Sequence, residues 1–127
     1  MHHPFAQLTG LQVAATAEVG TSLCTLTVTP ALFNPQQVLH GAVLYAMADT
    51  GMGAALYPLL SEGELCATIE IKISYFAPVF DGTVACHSRL VNRGKRIAYL
   101  ESELLLKDRL VARASGNFAI FQRSADG

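Results

Sequence analysis

Residues 42–60 constrain the fold of this chain more than any other stretch. They read AVLYAMADTGMGAALYPLL, apolar apart from Asp49 and Thr50. The spacing predicts one long helix over about Gly41–Leu59. Val43, Leu44, Met47, Met52, Ala55 and Leu56 occupy most of its circumference, the pattern of a buried helix. Asp49, the small residues and Pro58 make it a core element and not a membrane span. Pro58 and Gly63 mark its end.

Everything else patterned in the sequence is β. Gln12–Thr29 reads as two extended segments separated by Gly20, the second rich in threonine and alternating with Cys24, Leu26 and Val28. Pro30 and Pro35 bracket a short loop around Asn34. Leu65–Phe76 alternates, with Ala67, Ile69, Ile71, Ile73 and Tyr75 on one face and Thr68, Glu70, Lys72 and Ser74 on the other. Thr83–Asn92 is a strand, and Asn92–Lys95 a turn. Arg96–Leu106 and Leu110–Phe121 form a hairpin around Lys107-Asp108-Arg109. On the last strand Leu110, Ala112, Ala114, Gly116, Phe118 and Ile120 are expected to line one face.

One helix cannot cover both sides of such a sheet. The economical arrangement is an α+β domain in which an antiparallel sheet curls around a single central helix. With 127 residues, a single domain spans 1–127, and residues 1–10 are expected to form a flexible N-terminal arm. Half of the residues (51%) are apolar and only 15% charged, against a usual ~25%, and mean hydropathy is +0.34. A core is affordable without disulfides, and the excess predicts apolar surface buried between subunits of a homo-oligomer. A net charge of −1 is no basis for nucleic-acid binding. Cys24, Cys66 and Cys86 are odd in number, far apart and without metal-ligand spacing. They read as reduced, buried thiols of a cytoplasmic protein. No metal or cofactor is expected. Met1-His2-His3-Pro4 has none of the features of a signal peptide.

Asp49 needs an explanation, because it falls in the most apolar part of the chain. Burying a carboxylate without partners is costly. Either Asp49 turns to the outer face of the helix or pairs with an arginine, or it serves as a general base or nucleophile in a dry pocket. His40-Gly41 stands at the helix start, where backbone N–H groups lack internal partners and carry the positive end of the dipole. A glycine there lets a carbonyl approach the backbone, as an oxyanion site requires. A tight turn and a hydrogen-bonded structural histidine are the plainer readings of the same pair. Asp49 follows Gly41 by eight residues, roughly 12 Å along a helix. Reacting groups must come within about 3–3.5 Å. If both residues serve one substrate, Gly41 comes from one chain and Asp49 from another, which predicts a two-fold dimer with two composite sites.

Asn34-Pro35-Gln36-Gln37-Val38-Leu39-His40-Gly41-Ala42, followed by Ala48-Asp49, resembles the signature of the PaaI-like branch of the hot-dog-fold acyl-CoA thioesterases (the 4HBT superfamily). The resemblance continues through Thr68–Tyr75, Pro78, Gly82 and Arg93-Gly94-Lys95-Arg96, covering about Thr21–Phe121. It implies the hot-dog fold and hydrolysis of an acyl- or aryl-CoA thioester to free acid and coenzyme A. It also implies roles: Gly41 as oxyanion donor, Asn34 as a holder of the thioester carbonyl, and Asp49 as base or nucleophile. Thr68 would stand near that carboxylate, and His40 would orient the loop or the substrate. The family often has a second glycine where this chain has Ala42. Arg93, Lys95 and Arg96 beside Gly94 are a plausible contact for coenzyme A phosphates, or a solvated turn.

Two other functions compete. One is a non-catalytic acyl-CoA-binding hot-dog protein, a sensor or scaffold. The other is a hot-dog dehydratase or hydratase, whose acid–base set has no match here. A serine-hydrolase elbow, a P-loop and a GxGxxG motif are all missing from the sequence. Phe33, Tyr45, Met52, Tyr57, Tyr75 and Phe76 are candidates to line the acyl pocket, and the sequence leaves the acyl group and the choice of dimer or dimer of dimers open.

Overall fold

A computed structural model describes residues 3–14 and 16–124. The elements in order are α1 (Pro4–Thr9), β1 (Gln12–Ala14), β2 (Thr21–Thr27), α2 (Gly41–Leu56), β3 (Glu64–Tyr75), β4 (Thr83–Arg93), β5 (Ile97–Leu106) and β6 (Arg109–Gln122). Single 3-10 turns at Pro30–Leu32 and Tyr57–Leu59 flank α2. Pro58 has no N–H to continue the α-helical ladder, so the regular helix stops at Leu56 and tightens. Most of residues 1–10, read from the sequence as an arm, lie in the short helix α1, capped by the His3 side chain.

The strands form one antiparallel sheet in the order β1-β2-β4-β5-β6-β3. It folds around α2, as expected from the single apolar helix. Leu44, Met47, Ala48, Gly51, Met52, Ala55 and Leu56 are its buried residues, spaced three and one apart along a single stripe. They meet Cys24, Leu26, Val84, Cys86, Leu100, Leu104, Val111 and Phe118 from the sheet. The all-round burial expected for α2 is therefore half right within one chain. Its other side, with Ala42, Tyr45, Ala46, Asp49 and Gly53, is half-buried or exposed.

Two β-bulges correct the strand faces. The β3–β6 register slips between Thr68 and Glu70, leaving Ile69 without a partner. Directly paired residues share a face. Thr68 opposes buried Phe118 and so joins Ile71, Ile73 and Tyr75 on the helix side, not Glu70, Lys72 and Ser74. The second slip skips Val111 between the pairs Leu104↔Ala112 and Leu105↔Leu110. Val111 turns into the core at 0% exposure, while Leu110 remains half-buried on the other phase. One extra residue reverses every side chain beyond it.

Candidate active site

The loop before α2 is organised by Asn34. Its Oδ1 accepts the N–H groups of Gln36 (2.9 Å) and Val38 (3.4 Å). Its backbone N–H donates to the Val38 carbonyl at 2.8 Å, and its carbonyl accepts the Gln37 N–H at 2.9 Å. Leu39 N–H donates to Val79 O and His40 N–H to Leu32 O, which moors the loop to its neighbours on both sides. His40 is then the helix N-cap, its Nδ1 accepting the Ala42 N–H at 2.9 Å. An accepting Nδ1 leaves the proton of the neutral ring on Nε2.

The two peptide units flanking Gly41 carry four polar groups. The His40 carbonyl accepts the Val43 N–H at 2.9 Å. The Ala42 N–H is taken by His40 Nδ1. The Gly41 carbonyl accepts the Tyr75 hydroxyl at 2.7 Å. The Gly41 N–H finds no acceptor among the described residues, and it stands at the positive end of α2. Beside it Leu39, Gly41, Leu44, Tyr75, Phe76, Ala77, Pro78 and Val79 line an open, mainly apolar hollow of about 320 Å³. A Cβ at position 41 would lie 3.1–3.3 Å from the Tyr75 ring and hydroxyl, so the close packing of that ring is one reason for glycine here.

Asp49 lies two turns further on, half-buried, on the side of α2 that faces β3. Its Oδ1 accepts the Thr68 hydroxyl at 2.6 Å. The bulge at Ile69 makes this contact, since without it Thr68 would share the phase of Glu70 and Lys72. β3 runs beside α2 in the opposite direction, meeting Asp49 through Thr68 and Gly41 through Tyr75. Gly41 and Asp49 stay roughly 12 Å apart along the helix of one chain.

At the far end of β3, Arg93 donates to Glu64 Oε1 at 2.9 Å and to the Gly94 carbonyl at 2.6 Å, closing its own turn. Glu64 also accepts the Ser61 N–H, and that amide, ahead of Arg93, holds the carboxyl below its ordinary range. Lys95 and Arg96 are exposed and border a hollow of about 440 Å³ with Glu64, Ile120, Phe121 and Gln122. Among the described residues there is no cluster of three or more metal-ligating side chains.

The profile of the thioesterase superfamily matches residues 36–112, more than half of the sequence and the part that carries Gly41, Asp49, Thr68 and Tyr75. The chain belongs to the thioesterase superfamily. It is 28% identical over 101 residues to the acyl-coenzyme A thioesterase PaaI of Escherichia coli strain K12, covering 79% of this chain and 69% of that one. A match to the Pseudomonas aeruginosa protein PA0474, 30% identical over 80 residues, takes in 62% of this chain and 60% of that protein's length. Among solved structures, conserved protein PA5202 of P. aeruginosa superposes with a TM-score of 0.87 at 32% identity, covering 95% of this chain and 96% of that one. The PaaI structure superposes at 0.84 with 23% identity, covering 96% and 87%, which speaks for the fold alone.

In this thioesterase-superfamily chain the hot-dog sheet brings Asp49 and Thr68 together and sets His40 and Gly41 at the helix start. Asn34 belongs to the same loop, with its Oδ1 spent on the loop itself. Of the aromatic and Met candidates for the pocket, Tyr75 and Phe76 line the hollow at Gly41. Met52 is fully buried in the core, and Tyr57 is largely exposed. The Tyr75 bond to Gly41 and the Glu64 hold on Arg93 are absent from the sequence reading. Both join residues some thirty positions apart, and no local pattern encodes them.

Proposed function

We propose that the chain is an acyl-CoA thioesterase whose working unit is a dimer with composite sites. The observation that carries this reading is the Gly41 N–H, without an acceptor among the described residues, at a helix N-terminus beside an apolar hollow. A thioester carbonyl seated there would be polarised by that N–H and by the helix dipole. Attack on it would be driven by Asp49, acting directly or through water, with Thr68 fixing the carboxylate by a charge-assisted hydrogen bond. One chain's Asp49 is too far from its own Gly41, so the second group comes from another copy. β3 is a twelve-residue edge strand, and an unpaired edge of that length is a ready template for pairing. Pairing two β3 strands about a two-fold axis would run the two helices in opposite directions and bring the Gly41 end of one toward the Asp49 of the other. A further dimer of dimers is compatible with the same contacts. Lys95 and Arg96, both exposed, are the cations we assign to coenzyme A phosphates. Arg93 and Gly94 would shape the turn that presents them. Asn34 and His40 hold the oxyanion loop in place.

The test is free-thiol release from a panel of aryl- and alkyl-CoA esters, with Asp49→Ala in parallel. The expected result is turnover by the wild type, lowered by a factor of about 10²–10⁴ in a folded Asp49→Ala protein. Tight acyl-CoA binding without release from any ester would favour the sensor reading instead.

A further inference from the structure

Tyr75 is not one of the groups to which the reaction assigns a role, yet it makes the one side-chain hydrogen bond to the Gly41 carbonyl. Its place is set by the sheet: as the last residue of β3 it pairs with fully buried Ala112, which turns it toward the helix. From there its hydroxyl reaches the Gly41 carbonyl at 2.7 Å, and its ring lies flush against the Gly41 α-carbon, at 3.1–3.3 Å from where a Cβ would stand. Glycine is the most pliable backbone in a helix, and the first N–H of a helix has no internal bond to hold it. At Gly41 that pliability falls on the proposed oxyanion donor itself.

We propose that Tyr75 is a positioning residue for the oxyanion site, clamping the peptide plane after Gly41 so that the Gly41 N–H keeps a fixed direction into the hollow. The clamp is two-sided. On the N-terminal side the His40 carbonyl, in the same plane as the Gly41 N–H, accepts the Val43 N–H. On the C-terminal side Tyr75 holds the Gly41 carbonyl, and the His40 ring takes the Ala42 N–H of that same plane. With both peptide planes tied, rotation about the Gly41 backbone bonds is restricted, and of their four polar groups the Gly41 N–H is the one without a partner among the described residues. Burial, and then the neighbouring Tyr45, push the Tyr75 hydroxyl above its ordinary range, so it remains a donor throughout the neutral and moderately alkaline range. The proposal also gives the hollow a fixed wall, since the ring that lines it is the ring that holds the donor.

This inference rests on the thioesterase reading, and its test separates the two. Tyr75→Phe keeps the ring and removes the hydroxyl. Expected are an unchanged circular dichroism spectrum, kcat lower by about tenfold and KM within about twofold, because only a group aimed at the developing oxyanion is misplaced. A second measurement does not depend on turnover. Infrared spectra of an isotope-labelled acyl-CoA carbonyl, bound to Asp49→Ala and to Asp49→Ala with Tyr75→Phe, report the polarisation of that bond. The carbonyl band should shift to lower frequency in the first and recover most of that shift in the second. A wild type active on acyl-CoA with kcat and carbonyl band unmoved by Tyr75→Phe overturns the positioning role alone. A wild type inactive on every ester overturns the thioesterase reading and the inference with it.

Discussion

The two flanks of helix α2 are both polar in an apolar setting, and they differ in how far their polar groups are satisfied. On the flank against β2, β4 and β5, the serines Ser22, Ser88 and Ser102 stand in one transverse row, paired Ser22↔Ser88 and Ser88↔Ser102. All three are buried. Ser22 donates to the Gly51 carbonyl at 2.5 Å, and the hydroxyls of Ser88 and Ser102 lie 2.7 Å apart. Among the described residues no buried side-chain nitrogen or oxygen lacks a partner. On the flank toward β3, the Gly41 N–H and the second oxygen of Asp49 have no hydrogen-bond partner among the described residues, and both residues are half-buried. Satisfied polar groups in a core specify how the helix seats on the sheet. Groups with spare bonding capacity at a surface hollow are where a substrate is recognised and turned over. Gly51 and Gly41 repeat the lesson, one admitting the serine row and the other the Tyr75 ring.

The contrast predicts that changes on the serine flank alter stability and leave kcat, while changes on the β3 flank do the reverse. The largest stability effect should come from Gly51→Ala, whose Cβ would lie 2.6 Å from the Ser88 hydroxyl. Denaturant unfolding should show a loss of about 1–3 kcal/mol. Adding Ser88→Ala should recover part of it, because the nearest remaining Ser88 atom is then its Cβ at 3.5 Å. Thr68→Val keeps the branched shape and deletes the hydroxyl bound to Asp49. The expectation is a fall in kcat of about tenfold, the loss of one hydrogen bond to a charged group, with little change in unfolding midpoint. A variant that unfolds readily and retains kcat would place Thr68 with the serines. The smallest effect concerns the core beneath the serine row. Burial pushes the Cys24 thiol up to about 12 and Cys86 to about 11, from an ordinary 9.0. Thiols raised on folding stabilise the fold fully below pH 9 and lose that contribution as pH climbs toward 11 and 12. Midpoints of thermal unfolding should fall across that window, and less steeply in a Cys24→Ala, Cys86→Ala protein.

Much of this arrangement was legible in the sequence because it is periodic or local. The apolar run 42–60 announced a central helix, and the alternating segments gave the strands in order. His40-Gly41 before the helix and Asp49 within it stood out because neither polarity nor glycine is expected there. Two kinds of information were not legible. The bulges at Ile69 and Val111 each add one residue without any mark in composition, so Thr68 and Leu110 were read on the wrong faces. Contacts between distant residues, Tyr75 with Gly41 and Ser22 with Gly51, depend on how the sheet closes over the helix. Buried serines on strands also look like solvent-facing ones when only the alternation is seen.

The central claim is that each site draws Gly41 from one chain and Asp49 from another, and mixing two inactive variants tests it. Gly41→Pro removes the N–H at the helix position most tolerant of proline, although its ring also crowds Tyr75, and His40, at φ −63° and ψ 133°, already has the backbone a residue before proline adopts. Its partner in the mixture is Asp49→Ala. In a hybrid dimer one composite site loses both groups and the other retains both. Unfolding and refolding the two together should therefore restore about a quarter of wild-type thiol release, while each alone stays inactive. A mixture that forms hybrid dimers and remains as inactive as its components would contradict the composite site.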